Sequence, residues 1–361
     1  MSGAPILVTG GAGFIGSNIA DALASQGHRV LIYDSLVRPG VERNLAWLKQ
    51  RHGDLIAHIH ADIRNAGEIE RAAGEASAVF HMAAQVAVTT SLDDPREDYE
   101  INIGGTFNLL EAVRRKSVRT PLVFASTNKV YGDLADLAFE VGPDGYAPTD
   151  PAIRAHGIGE ARPLDFHTPY GCSKGAADQY VLDYARSFGV PATVLRMSCI
   201  YGQRQMGTED QGWVAHFLIR ALKGEPITLY GDGLQVRDIL DVSNAVEAYL
   251  AAWRGIDRAA GRAFNLGGGP DNAVSLRALI AEIGALTGCS PDVRFADWRA
   301  GDQRYFIADT RQSQAVLGLG PKVPWRTGVA RLADWLVAEQ SIALQPAPGL
   351  IEPAAEQEAA Q

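Results

Sequence analysis

Tyr170 and Lys174 stand at the two ends of Tyr170-Gly171-Cys172-Ser173-Lys174, the i and i+4 positions that share one face of a helix. An ammonium beside a phenol stabilises the phenolate and lowers the tyrosine pKa from about 10 toward working pH. A phenol tuned in this way takes a proton from an alcohol. Such a pair by itself is a common surface arrangement and needs a third group to carry weight. Thr127, in Phe124-Ala125-Ser126-Thr127-Asn128-Lys129, ends an apolar run. A hydroxyl beyond a strand end points into a cleft and can bond the reacting oxygen. Ser126 competes with Thr127 for that role.

Chain elements must bring these positions together. Short apolar runs at Ile6–Thr9, Val30–Tyr33, Leu55–His60, Ala78–His81, Pro121–Ala125 and Ala192–Arg196 read as strands. Several are continuous Val/Ile/Leu segments, as in a parallel sheet covered on both faces. Amphipathic stretches such as Phe14–Ser25, Asn102–Arg114 and Ser173–Ser187 alternate with them. The rhythm predicts an α/β fold, a Rossmann-type doubly wound parallel sheet with a smaller, partly interleaved α/β substrate-binding lobe. Residues 1–198, with about 237–265, form the expected cofactor domain. About 199–236 and 266–338 form the lobe; after Tyr201, helices are expected near Gln211–Leu222, Asn244–Trp253, Leu276–Leu286 and Val329–Val337. Short strands fall at Ile227–Leu229 and Ala263–Leu266. The Pro/Gly/Asp-rich stretch from about Asp133 to Thr168 reads as a long functional loop. Residues 339–361, rich in Pro, Ala and Glu, read as a disordered tail.

The first strand runs into Gly10-Gly11-Ala12-Gly13-Phe14-Ile15-Gly16. Glycines 10, 13 and 16 suit a tight turn, a backbone close to a pyrophosphate and a close helix–strand contact. The helix opening at Phe14 and Ile15 offers free N–H groups and a positive dipole end to phosphates. Asp34 follows at the end of the second strand, with Ser35 beside it. A carboxylate there accepts from both ribose hydroxyls and repels a 2′-phosphate, which favours NAD over NADP. Arg38 reads as a solvated loop residue. Asp62-Ile63 closes the third strand, where a carboxylate meets an adenine amino group. With NAD bound, hydride passes to nicotinamide as Tyr170 takes the proton.

These features together resemble the extended short-chain dehydrogenases/reductases of the NAD-dependent sugar-nucleotide epimerase/dehydratase family. The segments at 126–134 (STNKVYGDL), 164–180 (LDFHTPYGCSKGAADQY) and 210–214 (DQGWV) are most similar to the branch that epimerises CDP-hexoses at C2. The similarity runs from about residue 5 to 337. It implies a catalytic set of Thr127, Tyr170 and Lys174, with Ala83, Gln85, Asn102, Ser126 and Met197 along the nicotinamide end. It places Asn128, Cys199, Arg204 and Gln211 at the substrate, and Arg237 and Arg304 on its diphosphate. The 4,6-dehydratases of the family carry Asp-Glu where this chain has Asn128-Lys129. An amide does no general acid/base work at neutral pH, so dehydration is disfavoured. What remains is transient oxidation to a keto sugar and hydride return to the opposite face, with tightly held NAD recycled each turnover. The residues themselves do not separate C2 from C4. A 4-epimerase of a UDP-sugar and a non-catalytic NAD(H)-binding sensor stay open. The resemblance further implies a homodimer or homotetramer through Tyr99–Arg114 and Tyr170–Ser187.

Composition sets the outer bounds. A formal net charge of −9 lacks the basic footprint of a nucleic-acid binder, so local arginines must hold any anionic ligand. The three cysteines and eight histidines show no ligand spacing, and no metal is expected. No run of about 18 apolar residues suggests a membrane span. Sparse cysteine and an N-terminus without a basic leader point to the cytoplasm.

Overall fold

In the computed structural model, which describes residues 3–299 and 301–339, apolar strands and amphipathic helices alternate from the start. The order is β1 (Ile6–Thr9), α1 (Phe14–Ser25), β2 (Val30–Asp34), α2 (Val41–His52), β3 (Ile56–His60), α3 (Ala66–Glu75) and β4 (Ala78–His81). Next come α4 (Val88–Asp93), α5 (Pro95–Tyr99), a π-helical turn (Glu100–Gly105), α6 (Thr106–Arg114) and β5 (Leu122–Thr127). The helix expected to begin at Asn102 thus begins earlier and loosens to π pitch around that residue, a feature frequent at functional sites. The π turn also brings Gly105 against Ile63, where a Cβ would stand 2.5 Å from the isoleucine methyl.

Between β5 and the long helix α8 (Thr168–Phe188) the chain is not the structureless loop expected there. It forms a hairpin of β6 (Phe139–Gly142) and β7 (Gly145–Pro148) and a short helix α7 (Pro151–His156). Leu134 and Ile158 bury into a cluster with Val130, Tyr131, Phe306 and Ala308. This packing anchors the segment, so it is not a free lid.

The rest runs β8 (Ala192–Met197), β9 (Cys199–Tyr201), α9 (Trp213–Leu222), β10 (Ile227–Tyr230), β11 (Val236–Asp241) and α10 (Val242–Arg254). It continues through α11 (Ile256–Ala259), β12 (Ala263–Leu266), β13 (Ala273–Ser275), α12 (Leu276–Thr287), β14 (Val293–Ala296), β15 (Tyr305–Phe306), α13 (Arg311–Leu317) and α14 (Trp325–Glu339). The proposed tail from residue 340 on lies outside the described residues.

Seven parallel strands form the main sheet in the order β12-β8-β5-β4-β1-β2-β3. Helices cover both faces, giving two apolar layers, one around Ile19, Leu23 and Tyr249, the other around Leu109, Leu110 and Val181. The strand order turns back between β1 and β4, and a crevice opens beyond their carboxyl ends. A second sheet joins β11 to β9, β13 and β15, and a third pairs β10 with β14. Residues 237–241, expected with the large domain, therefore lie in the second sheet; only from α10 onward does that stretch pack on the first. The interleaving has a direct physical basis: β9 continues β8 out of the first sheet and pairs with β11 in the second.

A buried polar network fastens β5, β8 and α8. Asp178, fully buried, receives two Arg196 bonds, both 2.9 Å, and the Ser126 hydroxyl at 2.7 Å. Arg196, 5% exposed, also donates to the Tyr131 hydroxyl at 3.1 Å, which donates to Asn265 Oδ1 at 2.8 Å. Removing one partner of such a pair strands a buried charge at a cost of about 3–5 kcal/mol. Arg196→Met is therefore expected to lower stability by roughly that amount. Urea unfolding checks it, and a loss below about 1 kcal/mol would show that Asp178 finds another partner.

Candidate functional site

The glycine loop closes β1 against α1 so tightly that side chains are excluded. Gly10 has φ +64°, and a Cβ on it would lie 2.7 Å from the Ala83 nitrogen. A Cβ on Gly16 would lie 2.2 Å from the Gly10 carbonyl oxygen. Across the loop the Asp34 carboxylate accepts from Ala12 N–H and Leu36 N–H, both at 2.9 Å. Two amides fix the carboxylate and leave lone pairs for further donors. The donor set fits a dinucleotide: exposed amides at the start of α1 (Phe14, Ile15) for phosphate and Asp34 for the ribose diol. Ser35 lies one residue on, its carbonyl oxygen 2.8 Å from His60 Nε2. Asp62 is already gripped by Arg64, at 3.0 and 2.7 Å, which holds the carboxyl below its usual range. Any adenine contact at Asp62 has to share that carboxylate with arginine. Ile63 is buried behind it.

Beyond β4, Ala83 donates its N–H to the Thr9 hydroxyl at 3.2 Å, and Gln85 donates its N–H to Asn102 Oδ1 at 2.9 Å. His81 lies within this region and has no free edge. Nδ1 is 2.7 Å from the Thr9 hydroxyl, and Nε2 is 3.0 Å from Thr106 Oγ1, which itself donates to the Asn102 carbonyl. That directionality makes Nε2 the protonated nitrogen. Burial, with Lys174 nearby, pulls the imidazole pKa down to about 3, so the ring stays neutral. His81 is a packing histidine.

Thr127, Tyr170 and Lys174 converge where β5 meets α8. Successive residues of a strand face opposite sides. Ser126 therefore turns to Asp178, inside the polar network, while Thr127 lies on the Tyr170 side, its hydroxyl donating to Asn128 Oδ1 at 3.3 Å. This decides between the two hydroxyls and corrects the placement of Ser126: its side chain is spent on Asp178 and leaves only backbone for a cofactor. Met197 stands opposite Thr127 in register, at the end of β8. Lys174 is buried, donates to the Ala125 carbonyl at 2.6 Å and sits 4.3 Å over the Phe124 ring. Burial pulls its pKa down to about 8. Tyr170, also buried, moves the other way: burial pushes it up to about 12, and Thr127 beside it only partly opposes this. The expected lowering by Lys174 does not appear in the protein alone. The ammonium is turned to a carbonyl and a ring, and desolvation of the phenol dominates.

The other wall of the cleft comes from the smaller sheets. Asn128 is buried, with Nδ2 donating to Gln303 Oε1 at 3.2 Å and Oδ1 accepting from Thr127 at 3.3 Å. Arg237, buried on β11, donates to Asp302 at 2.8 Å and to the Gln303 carbonyl. Its partner is thus a distant aspartate; the neighbouring Asp238 bonds Ser198 and the Gly269 amide instead. Lys129 donates to the Gly301 carbonyl at 3.1 Å and lies 3.9 Å from Asp302. Burial acts to raise the Asp302 carboxyl, but Arg237 and Lys129 together hold it below its usual range. Cys199 accepts from Trp213 Nε1 at 3.3 Å, and burial pushes its thiol up. Two cations thus share one carboxylate, leaving a local positive excess in an acidic chain. Gln211 lies on the loop before α9, paired with Thr208.

Two arginines fall elsewhere than expected. Arg304 is exposed and lies 5.6 Å from the Tyr146 ring and 5.9 Å from that of Trp298, while its neighbour Gln303 turns inward. Arg204 has its guanidinium 3.8 Å from the Trp47 ring and 5.5 Å from that of Trp335, so it braces α2 against α14. Arg299 went unread in the sequence. It stacks 3.8 Å from Tyr230 and pairs with Glu209 at 3.0 Å, on the loop that carries Asp302. The alternation of Arg299, Gly301 and Arg304 around Asp302 was the available signal, but it does not tell which arginine faces inward. Folding also gathers Asp133, Asp165 and His167, one ligand atom each within 4.8 Å, which linear spacing of histidines does not reveal. The imidazole lies 3.4 and 3.1 Å from the two carboxylates.

Residues 6–267 match the pattern of the NAD dependent epimerase/dehydratase family. The chain is 42% identical over 339 residues to CDP-paratose 2-epimerase of Salmonella typhi, spanning 91% of this chain and 98% of that one. It is 32% identical over 330 residues to UDP-glucose 4-epimerase of Mycolicibacterium smegmatis, spanning 91% and 97%. Among solved structures, Thermus thermophilus UDP-glucose 4-epimerase in complex with NAD superposes with TM-score 0.78 at 32% identity, over 93% of this chain and 99% of that one. The Thermotoga maritima UDP-glucose 4-epimerase with UDP-glucose gives TM-score 0.78 at 31% identity, over 92% and 98%.

Arg237 supplies a test of the positive wall. Arg237→Ala is expected to raise KM for a diphosphate-bearing substrate at least about tenfold, the scale of one charge-assisted hydrogen bond. NADH binding, followed by fluorescence, should stay as in wild type. An unchanged KM would remove Arg237 from the site.

Proposed function

The chain belongs to the NAD-dependent epimerase/dehydratase family, and we propose that within it the protein epimerises a nucleotide-activated hexose at C2, with a CDP-sugar as substrate. The glycine loop of Gly10, Gly13 and Gly16 and the Asp34 carboxylate would hold NAD, which would supply a reversible hydride acceptor for the sugar carbon. The chain's own residues then have distinct tasks. Tyr170 takes the proton of the reacting hydroxyl and gives it back. Thr127, beside the phenol, offers its hydroxyl to the same oxygen. Lys174 supplies a fixed positive charge beneath the pair. A positive charge held beside Tyr170 would bring it down from its raised resting pKa.

One observation carries the reading: Thr127 lies beside Tyr170 at the end of β5, while the adjoining positions are Asn128 and Lys129. Neither is a carboxyl acid, so the constellation can move the carbinol proton but lacks the acidic pair for loss of water. The similarity to CDP-paratose 2-epimerase favours C2 over C4, and the UDP-sugar relatives are more distant. Lys129, Arg237 and Arg299 supply the charge for a diphosphate against the net −9 of the chain.

The same reading extends to organisation. Residues before 199, with α10 to β12, serve the cofactor, and the smaller sheets serve the sugar nucleotide. Leu92, Tyr99, Phe107 and Tyr180 lie exposed on α4, α5, α6 and α8, an apolar set suited to pairing with a second copy. No helix among the described residues is long and apolar enough to cross a membrane; with its three free cysteines, the protein is assigned to the cytoplasm.

Incubation with CDP-, UDP-, GDP- and dTDP-hexoses in deuterated water, read by proton NMR, tests the function. The expected product is a C2 epimer of a CDP-sugar without deuterium at C2. A C4 epimer, or accumulation of NADH with consumption of added NAD, overturns it. Tyr170→Phe is expected to lower kcat by about 10²–10⁴, the usual worth of a positioned acid/base, while NADH still binds.

A further inference from the structure

Asp98 on α5 is 1% exposed, and α5 packs on α8. One carboxyl oxygen accepts from Asn102 Nδ2 at 3.1 Å; the same amide donates to Ser173 Oγ at 3.0 Å, which donates to the Tyr170 carbonyl at 3.2 Å, so Asp98 is tied to the first turn of α8. The other oxygen is buried without a hydrogen-bond partner among the described residues. A half-satisfied buried carboxyl is costly and rare, which asks for a reason to keep it.

The reason lies in the charges around it. Burial pushes the Asp98 carboxyl up, and Lys174 on α8 acts against that; Tyr170 lies one turn before Lys174 and Asp178 one turn after it. From β4 comes His81, which is neutral. On α4 and before α5, Asp93 and Asp94 are exposed; Arg96, Glu97 and Glu100 lie toward solvent and pair with one another or with Arg64. Two carboxylates therefore act on Lys174. Asp178 is already spent on the bidentate Arg196 and on Ser126. Asp98 makes no ion-pair contact among the described residues, so its charge is the one left for the lysine. The Ala125 carbonyl gives the ammonium a hydrogen bond but no counter-charge.

We propose that Asp98 is a positioning residue for the Tyr170–Lys174 pair, its carboxylate the counter-charge that keeps Lys174 an ammonium inside the protein and delays ionisation of Tyr170. Burial pulls Lys174 down, and Asp98 acts against it; the same charge raises Tyr170. The inference rests on Tyr170 as the acid/base of the proposed function, so its tests include two that need no substrate.

Asp98→Asn keeps the shape and removes the charge, and losing a negative neighbour lowers the pKa of both partners. Both limbs of the pH dependence of turnover should move to lower pH by about one unit, the scale of a charge several ångströms away at an effective dielectric near 20. Without substrate, the ultraviolet tyrosinate titration, taken as the difference from Tyr170→Phe, should shift the same way. In a stability cycle, Lys174→Met leaves Asp98 uncompensated, so D98N/K174M should melt above K174M alone. If D98N does not fold by itself, folding of the double variant carries the test. Unmoved pH limbs with an unmoved tyrosinate titration, or a double variant less stable than K174M, overturn the proposal and leave Asp98 an anchor for Asn102. Absence of turnover with every sugar nucleotide would strike the proposed function and leave the titration and the cycle to decide this one.

Discussion

A lysine ammonium buried against the main sheet is the constraint around which this protein is arranged. The Ala125 carbonyl accepts from Lys174 at 2.6 Å and the Phe124 ring lies beneath it, which offsets part of the cost of burying that charge. Both partners belong to β5, so α8 must sit on that strand at one register. The Arg196–Asp178 pair fixes that register from the next turn of α8, tying the helix to β8 as well. Tyr170, one turn before Lys174, is then carried to Thr127 at the strand end. The acid/base geometry is a consequence of how a buried cation is satisfied.

The same economy appears on the cofactor side. Gly10 passes so close to Ala83 that β1 and β4 are locked at the point where strand order turns back. Thr9, His81, Thr106 and Asn102 form one directional chain of hydrogen bonds across that seam. Asn102 ends it in the π turn and holds the Gln85 backbone. The residues along this seam are therefore set by backbone-directed bonds.

The opposite wall of the cleft is built differently. Lys129, Arg237 and Asp302 come from three separate parts of the chain and form one charge cluster. Its positive excess is local, and the chain around it is acidic. An anion entering here would compete with Asp302 for Arg237, so affinity depends on how readily the loop around 299–304 yields that carboxylate.

Local signals determined much of this protein. Glycine spacing after an apolar strand, a carboxylate at the end of the next strand and a Tyr–Lys pair one helical turn apart each follow from short-range geometry, so residues 6–34 and 168–188 were legible from their own types. The sheet was legible too, because continuous apolar strands require cover on both faces. Tertiary structure decided the rest. Ser126 and Thr127 are adjacent hydroxyls, and only the pleat of β5 against α8 shows which faces the phenol. Arg299 and Arg304 flank one aspartate, and only the packing on Tyr230, Tyr146 and Trp298 separates them. The stretch from 133 to 168 looked like loop because its apolar residues bury against Phe306 and Ala308, more than a hundred positions away. Tyr170 is raised, not lowered, because desolvation depends on everything packed around a group, and a spacing of four residues carries no information about that.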